Sequence, residues 1–534
     1  MHGGECFDEE RQAVKGYFSL VLHTHMPYVR KNGAFPVGED WLYQAMSETY
    51  LPLLGMLAQL EYEGAGPCLA LTMTPVLCEQ LADPYIQERF VTYLKTMQDH
   101  AADDIKDFVY FNDESRKALA ETHREEFRRK LMAFLAIDGD LLAAFASFEE
   151  QGLIEIIASC ATHAFLPAQR SVESAREQVR LGVESHRGRF GAQPRGFWIP
   201  ECAYTGGLEE LLESEGIQYF IVDSSALDGR PAGRPNLVGK SNVVALARSD
   251  RAHANAWDEL SGYPTDGRYL DSTKYYHSSG LHYWRVTGPG VDIENKEPYE
   301  PKNARIRAFE HSEHFIGDVI REAESITAAG GRFERDGETV SWVDPPLVLA
   351  SYDTEFLGHG WKEGIYWLEL TLRSLSAGES VRLTTPSRFL ADNLERLRSG
   401  LLSTTWGTDR DHSTWVNQET AWMWEEIYSA QERLRGLMAG GPPHAGASIE
   451  TRALEQAVRE VLLLESSDWP YMVAKNRARG YADERFRAHI ERFTTLADAI
   501  EKGKLGDITQ ELGEIEETDN IFAELDLSGM QKGV

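Results

Sequence analysis

Short apolar, β-prone runs recur along the chain, and a helical pattern of apolar residues follows each of them. This alternation predicts an α/β fold, in which a parallel sheet or barrel carries its helices on the outside. The runs lie at residues 17–22, 67–74, 153–158, 196–199, 219–222, 243–247 and 347–351. In such folds the chemistry takes place at the carboxyl ends of the strands. The polar residues that directly follow these runs are therefore the first candidates for function.

Two parts of the chain depart from this alternation. Residues 93–151 are rich in Ala, Glu, Lys, Arg and Leu with apolar residues spaced i, i+3, i+4, which predicts a helical insertion between two strands. From about Ser403 the pattern is helical to near the end of the chain. We therefore expect a catalytic barrel in two parts (1–92 and 152–402), the insertion at 93–151, and a helical C-terminal domain at 403–534 that contributes to the cleft.

Charge and cysteine content exclude several classes of function. A net charge of −31 argues against nucleic acid as a partner, because an acidic chain repels the phosphate backbone. The five cysteines lack CxxC spacing, which argues against a structural zinc site and a disulfide framework. Residues 1–18 contain no apolar signal-peptide core, and the longest apolar runs are too short for a membrane span. We expect a cytoplasmic protein with no membrane partner.

Glu201 is the first candidate catalytic residue. In the run GFWIPECAY it follows a proline, which restricts the backbone, and Trp198 and Tyr204 lie three residues to either side. An acid at the mouth of a buried strand is costly unless it is paired or used. We interpret Glu201 as a nucleophile in a pocket shaped by the two aromatic residues. The alternative is an acid beside the N-terminus of the helix that follows.

Asp353 is the second candidate, because it follows the apolar run LVLASY. We expect it to meet Glu201 in the folded protein as a catalytic pair, although it is 152 positions away in sequence. If the strand continues, Ser351, Asp353 and Glu355 share one face, so Glu355 competes for the same role. Asp353 is preferred because it lies nearer the apolar run. The alternative for Asp353 is a carboxylate that caps a helix or turn.

Four histidines fall close to the predicted strand ends. His23 and His25 stand at i and i+2 after the first run, so an extended backbone directs both to the same side, and His163 and His359 are placed to join them. They are either metal ligands or neutral donors to substrate hydroxyls. Hydrogen bonding is preferred because no third ligand has suitable local spacing, and we predict no metal and no cofactor. For His163 a place in the core is a further alternative.

Tryptophans in polar surroundings suggest a carbohydrate ligand. Trp406 and Trp415 lie nine residues apart in the polar segment TTWGTDRDHSTWVNQ, which predicts a platform for stacking sugar rings rather than core packing. In the segment SSDWPYM, Asp468 and Trp469 sit between helical stretches. Asp468 is either a helix cap or a residue that faces the cleft.

Five ordered segments carry a resemblance to a known family: LHTHMPYVR, GLIEIIASCATHAFLP, GFWIPECAY, SYDTEFLGHGW and the segment from Trp406 to Trp415. From about Gly16 to Ala499 the chain resembles glycoside hydrolase family 57, and within it the α-1,4-glucan branching enzymes and closely similar bacterial α-amylase-type members. The resemblance implies an incomplete (β/α)7 barrel with a helical insertion and an all-helical C-terminal domain.

The resemblance also implies retaining chemistry without a metal or organic cofactor, acting on an α-1,4-glucan such as amylose or a glycogen-like polymer. The family nucleophile falls on Glu201 and the general acid/base on Asp353. His23 and His25 fall on the histidines of the first motif. The tryptophans of the cleft fall on Trp284, Trp406 and Trp415.

The resemblance favours a branching enzyme, which transfers the cleaved chain to a 6-hydroxyl. Branching enzymes of the family carry a mobile loop with a tyrosine that keeps water out of the cleft. The corresponding segment at 227–240 contains no tyrosine. An α-1,4-glucan hydrolase with weak transfer is therefore the alternative. Two rivals from other classes are a metal-dependent carbohydrate hydrolase or deacetylase that uses His23 and His25, and a silent glucan-binding protein.

Overall fold

In a computed structural model the chain is described at residues 14–230, 232–258, 260–329, 332–335, 338–341, 344–393, 396–439, 448–523, 525 and 527. The strands are β1 (Gly16–Thr24), β2 (Leu69–Met73), β3 (Ile154–Ser159), β4 (Gly196–Trp198), β5 (Tyr219–Val222), β6 (Asn236–Val238), β7 (Val244–Ala247), β8 (Arg332–Arg335), β9 (Glu338–Ser341), β10 (Leu347–Asp353), β11 (Val381–Leu383) and β12 (Leu397–Ser399).

One curled sheet organises the molecule, with the strand order β10-β1-β2-β3-β4-β5-β7-β6-β12 and with β11 also paired to β1. The first seven strands of this order run parallel to one another, and they are the seven runs predicted from the sequence. Every residue of β2 and β3 is buried, as expected for a parallel sheet that is covered on both faces. The predicted α/β barrel architecture, open rather than closed, is confirmed.

The strand register places the first candidate residues side by side. β1 pairs with β10 so that His23 lies opposite Asp353, and it pairs with β2 so that His23 lies opposite Thr72. Glu201 follows the end of β4 in the same parallel set. Because parallel strands end at one edge of a sheet, residues far apart in sequence converge there.

The helices are α1 (Glu39–Ala45), α2 (Leu51–Tyr62), α3 (Pro75–Leu81), α4 (Pro84–Tyr110), α5 (Glu114–Ala136), α6 (Leu141–Glu150), α7 (Val172–Phe190), α8 (Leu208–Ser214), α9 (Asp250–Trp257), α10 (Pro301–Ala328), α11 (Gly364–Ala377), α12 (Pro386–Asp392), α13 (Ala421–Met438), α14 (Ile449–Leu464), α15 (Asp468–Ala474), α16 (Arg479–Glu501) and α17 (Thr509–Thr518). A π-helical turn, Met46–Tyr50, joins α1 to α2.

Helices α4, α5 and α6 form the insertion between β2 and β3. Each begins at an aspartate whose carboxylate accepts a main-chain N–H of the first turn, which stabilises the helix start. These caps are Asp83, Asp113 and Asp140. Among the described residues no single helix is long and apolar enough to cross a membrane, although α5 and α6, bent by 70°, reach that length and composition as a pair.

The helical C-terminal region begins later in the chain than the sequence pattern indicates. In residues 403–420, all of which are described, turns and an isolated bridge replace the expected helix, and the first helix starts at Ala421. The buried faces of α13 to α16 enclose a second apolar core that includes Trp424, Trp469 and Phe486. The irregular segment 403–420 is thereby left to cross the carboxyl edge of the sheet.

Candidate active site

A pocket of about 680 Å³ opens at the carboxyl edge of the sheet. Its walls come from the ends of the strands, from the segment 403–420 and from helix α15. Ten of the residues selected from the sequence line it: His23, His25, His163, Glu201, Asp353, Glu355, His359, Trp406, Trp415 and Asp468. The structure therefore brings most of the candidate residues together in one place.

Glu201 is held tightly on the floor of this pocket. It lies in a 3-10 turn after β4 and has a left-handed backbone, with φ of 63°, as does Cys202 with φ of 47°. A non-glycine residue pays for this conformation in strain, which clusters at functional sites. Both carboxylate oxygens accept hydrogen bonds: Oε2 from Trp406 Nε1 at 2.8 Å, and Oε1 from Ser467 Oγ at 2.8 Å.

The environment of Glu201 has opposing effects on its pKa. The side chain is buried, and burial raises the pKa of Glu201, while the hydrogen bonds from Trp406 and Ser467 lower it. The net effect is a pKa of about 7. The negative charge of Asp468 raises the pKa further, and His25 opposes it. Glu201 is therefore a carboxyl group whose ionised form depends on two side-chain donors from the C-terminal part of the chain.

Asp353 ends β10 and is partly open to the pocket. Burial, followed by the negative charges of Glu355 and Glu201, raises the pKa of Asp353 well above its ordinary value. A carboxyl group in this setting keeps its proton at neutral pH. The two candidate catalytic residues thus occupy one pocket, and burial raises the pKa of both.

Glu355 also faces the pocket, but strand alternation is not the cause. β10 ends at Asp353, and Glu355 lies in the 3-10 turn Thr354–Phe356, so the strand does not continue and the condition for a common face is not met. Its carboxylate accepts a hydrogen bond from the Tyr50 hydroxyl at 2.5 Å. Burial raises the pKa of Glu355 and the Tyr50 hydrogen bond partly offsets this, so that its pKa is about 7.

His25 connects the strand end to the C-terminal region. Its Nδ1 lies 3.0 Å from Thr74 Oγ1, and its Nε2 lies 3.0 Å from a carboxylate oxygen of Asp468. Burial alone would lower the pKa of His25, but the Asp468 carboxylate together with the charges of Glu201 and Glu355 outweighs burial and raises it. Asp468 lies in the first turn of α15 and faces the pocket, which decides between the two roles considered for it.

His25, His163 and Asp468 are the pocket residues that could hold a metal ion, because each offers a ligand atom within 4.8 Å of the others. Asp468 is the third potential ligand that local sequence spacing did not reveal. The rings of His25 and His163 stack at 3.8 Å with an angle of 17° between them, so their in-plane lone pairs run side by side instead of converging. This geometry favours a hydrogen-bonding role over a metal centre.

Comparisons with known proteins agree with this geometry. The profile of glycosyl hydrolase family 57 matches residues 19–257, and that of the 1,4-alpha-glucan branching enzyme C-terminal domain matches residues 426–529. The 1,4-alpha-glucan branching enzyme of Thermococcus kodakarensis is 35% identical, over 95% of this chain and 78% of that protein.

The chain belongs to glycosyl hydrolase family 57.

Two solved structures show the same fold. A family 57 branching enzyme from Pyrococcus horikoshii has a TM-score of 0.89 at 34% identity and covers 97% of both chains. The α-amylase AmyC from Thermotoga maritima has a TM-score of 0.84 at 27% identity, over 96% of this chain and 99% of its own. The family resemblance read from the sequence motifs is confirmed.

The tryptophans of this family 57 site divide into two groups. Trp406 is half-buried, lines the pocket and contacts Glu201. Trp415 also reaches the pocket wall, but it is only 1% exposed and stacks on Phe165 at 5.0 Å in the C-terminal core. The prediction that both form a platform rather than core is therefore wrong for Trp415.

Three other predicted pocket residues lie outside the lining. Tyr204 is buried and donates to Glu209 at 2.8 Å, Trp469 is buried and donates to the Leu463 carbonyl at 2.8 Å, and Trp284 packs under the cation of Lys274. Tyr204 and Trp469 neighbour true site segments in sequence, whereas Trp284 does not. The turn after a catalytic residue directs the next aromatic side chain into the core instead of the pocket.

Trp198 is an indirect contributor. It is fully buried and stacks on His23 at 4.6 Å, with Trp406 edge-on to it at 5.0 Å. It supports the pocket from below but does not line it. At the opposite side, His359 lines the pocket and lies 2.6 Å from the carboxylate of Glu48.

The segment 227–240, which the resemblance equates with the water-excluding loop of family 57 branching enzymes, contributes a short strand to the sheet. Its residues Asn236–Val238 form β6 between β7 and β12, and Arg230 donates to the Gly400 carbonyl. None of its described residues lines the pocket. Strand pairing holds Asn236–Val238 at the far edge of the sheet.

Sequence reasoning missed several residues of the site. Glu48 and Tyr50 belong to the π-helical turn, a feature that occurs often at functional sites but has no clear sequence signal. Ser467 was adjacent to the selected Asp468, so the segment was found but the residue was not. Trp257 and Phe356, 4.7 Å apart, add an aromatic pair to the pocket wall.

Proposed function

We propose that this protein is a retaining 1,4-α-glucan branching enzyme. It cleaves an α-1,4 bond and transfers the released chain to a glucan 6-hydroxyl, forming an α-1,6 branch. The observation that carries the proposal is the pairing of Glu201, held by two hydrogen-bond donors, with Asp353, whose pKa is raised well above normal, in one pocket. The names of the similar enzymes and of the matching C-terminal domain support the same reaction.

In the first step Asp353 acts as general acid and Glu201 as nucleophile. The proton of Asp353 passes to the glycosidic oxygen while a Glu201 oxygen forms a bond to the anomeric carbon. The C–O bond to the leaving chain breaks, and that chain departs with a free 4-hydroxyl. The raised pKa of Asp353 supplies the proton at neutral pH, and the donors Trp406 and Ser467 favour the ionised form of Glu201.

In the second step the roles reverse. Asp353, now ionised, removes the proton from an acceptor 6-hydroxyl, whose oxygen attacks the anomeric carbon and displaces Glu201. Two inversions at the same carbon leave the α configuration unchanged. If water is the acceptor, the same pair hydrolyses the glucan, so the acceptor and not the carboxyl pair determines the product.

We propose an α-1,4-glucan, such as amylose or a glycogen-like polymer, as the substrate and a cytoplasmic location. The indole face of Trp406 and the polar atoms of His25 and Asp468 offer one apolar surface and several hydrogen-bonding groups for a sugar ring. Cell fractionation followed by immunoblotting would test the location, which recovery in an extracytoplasmic fraction would contradict.

The alternative is an α-1,4-glucan hydrolase with weak transfer. Its support is the likeness to the α-amylase of Thermotoga maritima, and the absence of residues 227–240 from the described pocket lining. Both functions use the same cleavage chemistry. They differ only in how well the aromatic wall of the pocket favours a glucan over water.

Proton NMR of amylose incubated with the enzyme separates the two functions. We expect the α-1,6 anomeric signal to grow with little gain in reducing ends, and E201Q and D353N to abolish this growth. E209Q is a matched control, because Glu209 is equally buried but outside the pocket. A rise in reducing ends without an α-1,6 signal would contradict branching and support hydrolysis.

A further inference from the structure

Ser467 lies between His163 and Glu201 and contacts both. Its Oγ is 2.8 Å from His163 Nδ1 and 2.8 Å from Glu201 Oε1. Its main-chain N–H also donates to the carbonyl oxygen of His163 at 3.0 Å. The serine side chain is fully buried, so its hydroxyl group has a defined set of partners.

The direction of each hydrogen bond in this group follows from the ionised form of Glu201. A carboxylate only accepts, so the Ser467 hydroxyl donates to it and must itself accept from His163 Nδ1–H. A neutral His163 then has a bare Nε2. Because His23 Nε2 lies 3.0 Å from that atom, His23 is the donor to it. The chain therefore runs one way, from His23 through His163 and Ser467 to Glu201.

The protonation states of the two histidines fit this direction. Burial, and after it the neighbouring histidines, lowers the pKa of both His23 and His163, so both rings are neutral. His23 Nδ1 has no hydrogen-bond partner among the described residues, as expected for the nitrogen that carries no proton. His163 and Glu201, the two side chains that Ser467 connects, both have a left-handed backbone, with φ of 60° and 63°.

We propose that Ser467 is a positioning residue for the nucleophile, which keeps Glu201 ionised and orients its Oε1 through the directional chain from His23. This rests on the proposed function, because it requires Glu201 to be the nucleophile. Trp406 holds the other oxygen, so the two donors together fix the plane of the carboxylate.

The charged groups around Glu201 define what the loss of Ser467 does. Asp468 acts on Glu201 as a negative charge, His25 acts as a positive one, and His163 Nδ1 lies 3.8 Å from Oε1. All of these remain in a serine-to-alanine variant. Only the hydroxyl donor is removed, and the protonated form of Glu201 becomes more favourable.

The test is the pH dependence of kcat/KM in S467A. Removing a hydrogen bond to a carboxylate raises its pKa by about one unit. The acid limb of the pH profile should therefore move to higher pH by about that amount, and kcat/KM should fall about tenfold at pH values below the limb. S467T keeps the hydroxyl and should return the acid limb to its position in the unmodified enzyme. The position of a limb does not depend on how much of the enzyme is folded.

S312A is the matched control, because Ser312 is also fully buried but donates within α10, far from the pocket. Its limb should not move. An unchanged limb in S467A, or a limb in S467T as displaced as that of S467A, would overturn the positioning role. E201Q separates the two claims: if E201Q is inactive and S467A has a normal limb, only the role of Ser467 fails. If E201Q is active, the proposed function fails as well.

Discussion

The proposed nucleophile and acid of this site are chemically similar carboxyl groups with different neighbours. Glu201 has an N–H and an O–H donor on its oxygens, while the charges closest to Asp353 are the carboxyls of Glu355 and Glu201. Donors stabilise the ionised form, and like charges stabilise the protonated form. The difference in role follows from these neighbours and not from the choice of residue type.

The pH dependence of kcat/KM should reflect this difference. Activity requires ionised Glu201, whose pKa is about 7, so it should be lost as the pH falls through that value. It also requires protonated Asp353, whose pKa is raised, so the basic limb should lie well above the ordinary range of an aspartate. Initial rates across pH would test this, and an acid limb at the ordinary pKa of an exposed glutamate would contradict it.

Tyr50 should tune the basic limb without touching either catalytic residue. In Y50F the carboxyl of Glu355 loses its hydroxyl donor, so its pKa rises and it is ionised less. A smaller negative charge beside Asp353 lowers the pKa of Asp353. We expect the basic limb to move to lower pH. Y283F is the control, because Tyr283 donates to Asp104 outside the pocket, and a basic limb that moves to higher pH in Y50F would contradict this account.

Among the secondary-structure elements, the sequence predicted the central parallel strands but not the short outer strands or the exact start of the insertion. The seven parallel strands each carry an apolar β-prone run, because both faces of the sheet are covered. β6 and β12 are three residues long and have no such run. The insertion begins at Pro84 because Asp83 caps α4, nine residues before the predicted start. Such short pairings and caps depend on partners that local patterns do not contain.

A buried ionic group joins α16 to the segment after α17. Asp519 is fully buried beside Arg485 and His489, and it accepts a hydrogen bond from Arg492. In D519A the guanidinium groups of Arg485 and Arg492 lose their partner inside the protein, and loss of one member of a buried pair costs about 3–5 kcal/mol.

D519A should therefore lower the melting temperature clearly in calorimetry. Asp498 provides the control, since its side chain is only half-buried and pairs with Arg433 at the surface. We expect D498A to melt close to the unmodified protein. Equal melting temperatures for D519A and D498A would show that the buried group does not hold these elements together.

At the scale of the whole molecule, the site exists only where the sheet and the C-terminal region meet. Strand ends supply His23, Glu201 and Asp353, and the later part of the chain supplies Trp406 and Ser467. The family motifs identified most of these residues because each motif is local. Packing between distant elements decides which aromatic residues face the pocket. For this reason the sequence wrongly predicted that Tyr204, Trp284 and Trp469 line it.

The most direct test of the account is to find the covalent intermediate on Glu201. In D353N an activated glucosyl fluoride needs no acid to leave, but no base remains to activate the acceptor, so a glycosyl-enzyme ester should accumulate. Digestion and mass spectrometry should place the added sugar on the peptide that contains Glu201. A sugar attached to Glu355, or no adduct while the fluoride is consumed with inversion at the anomeric carbon, would contradict the retaining pair.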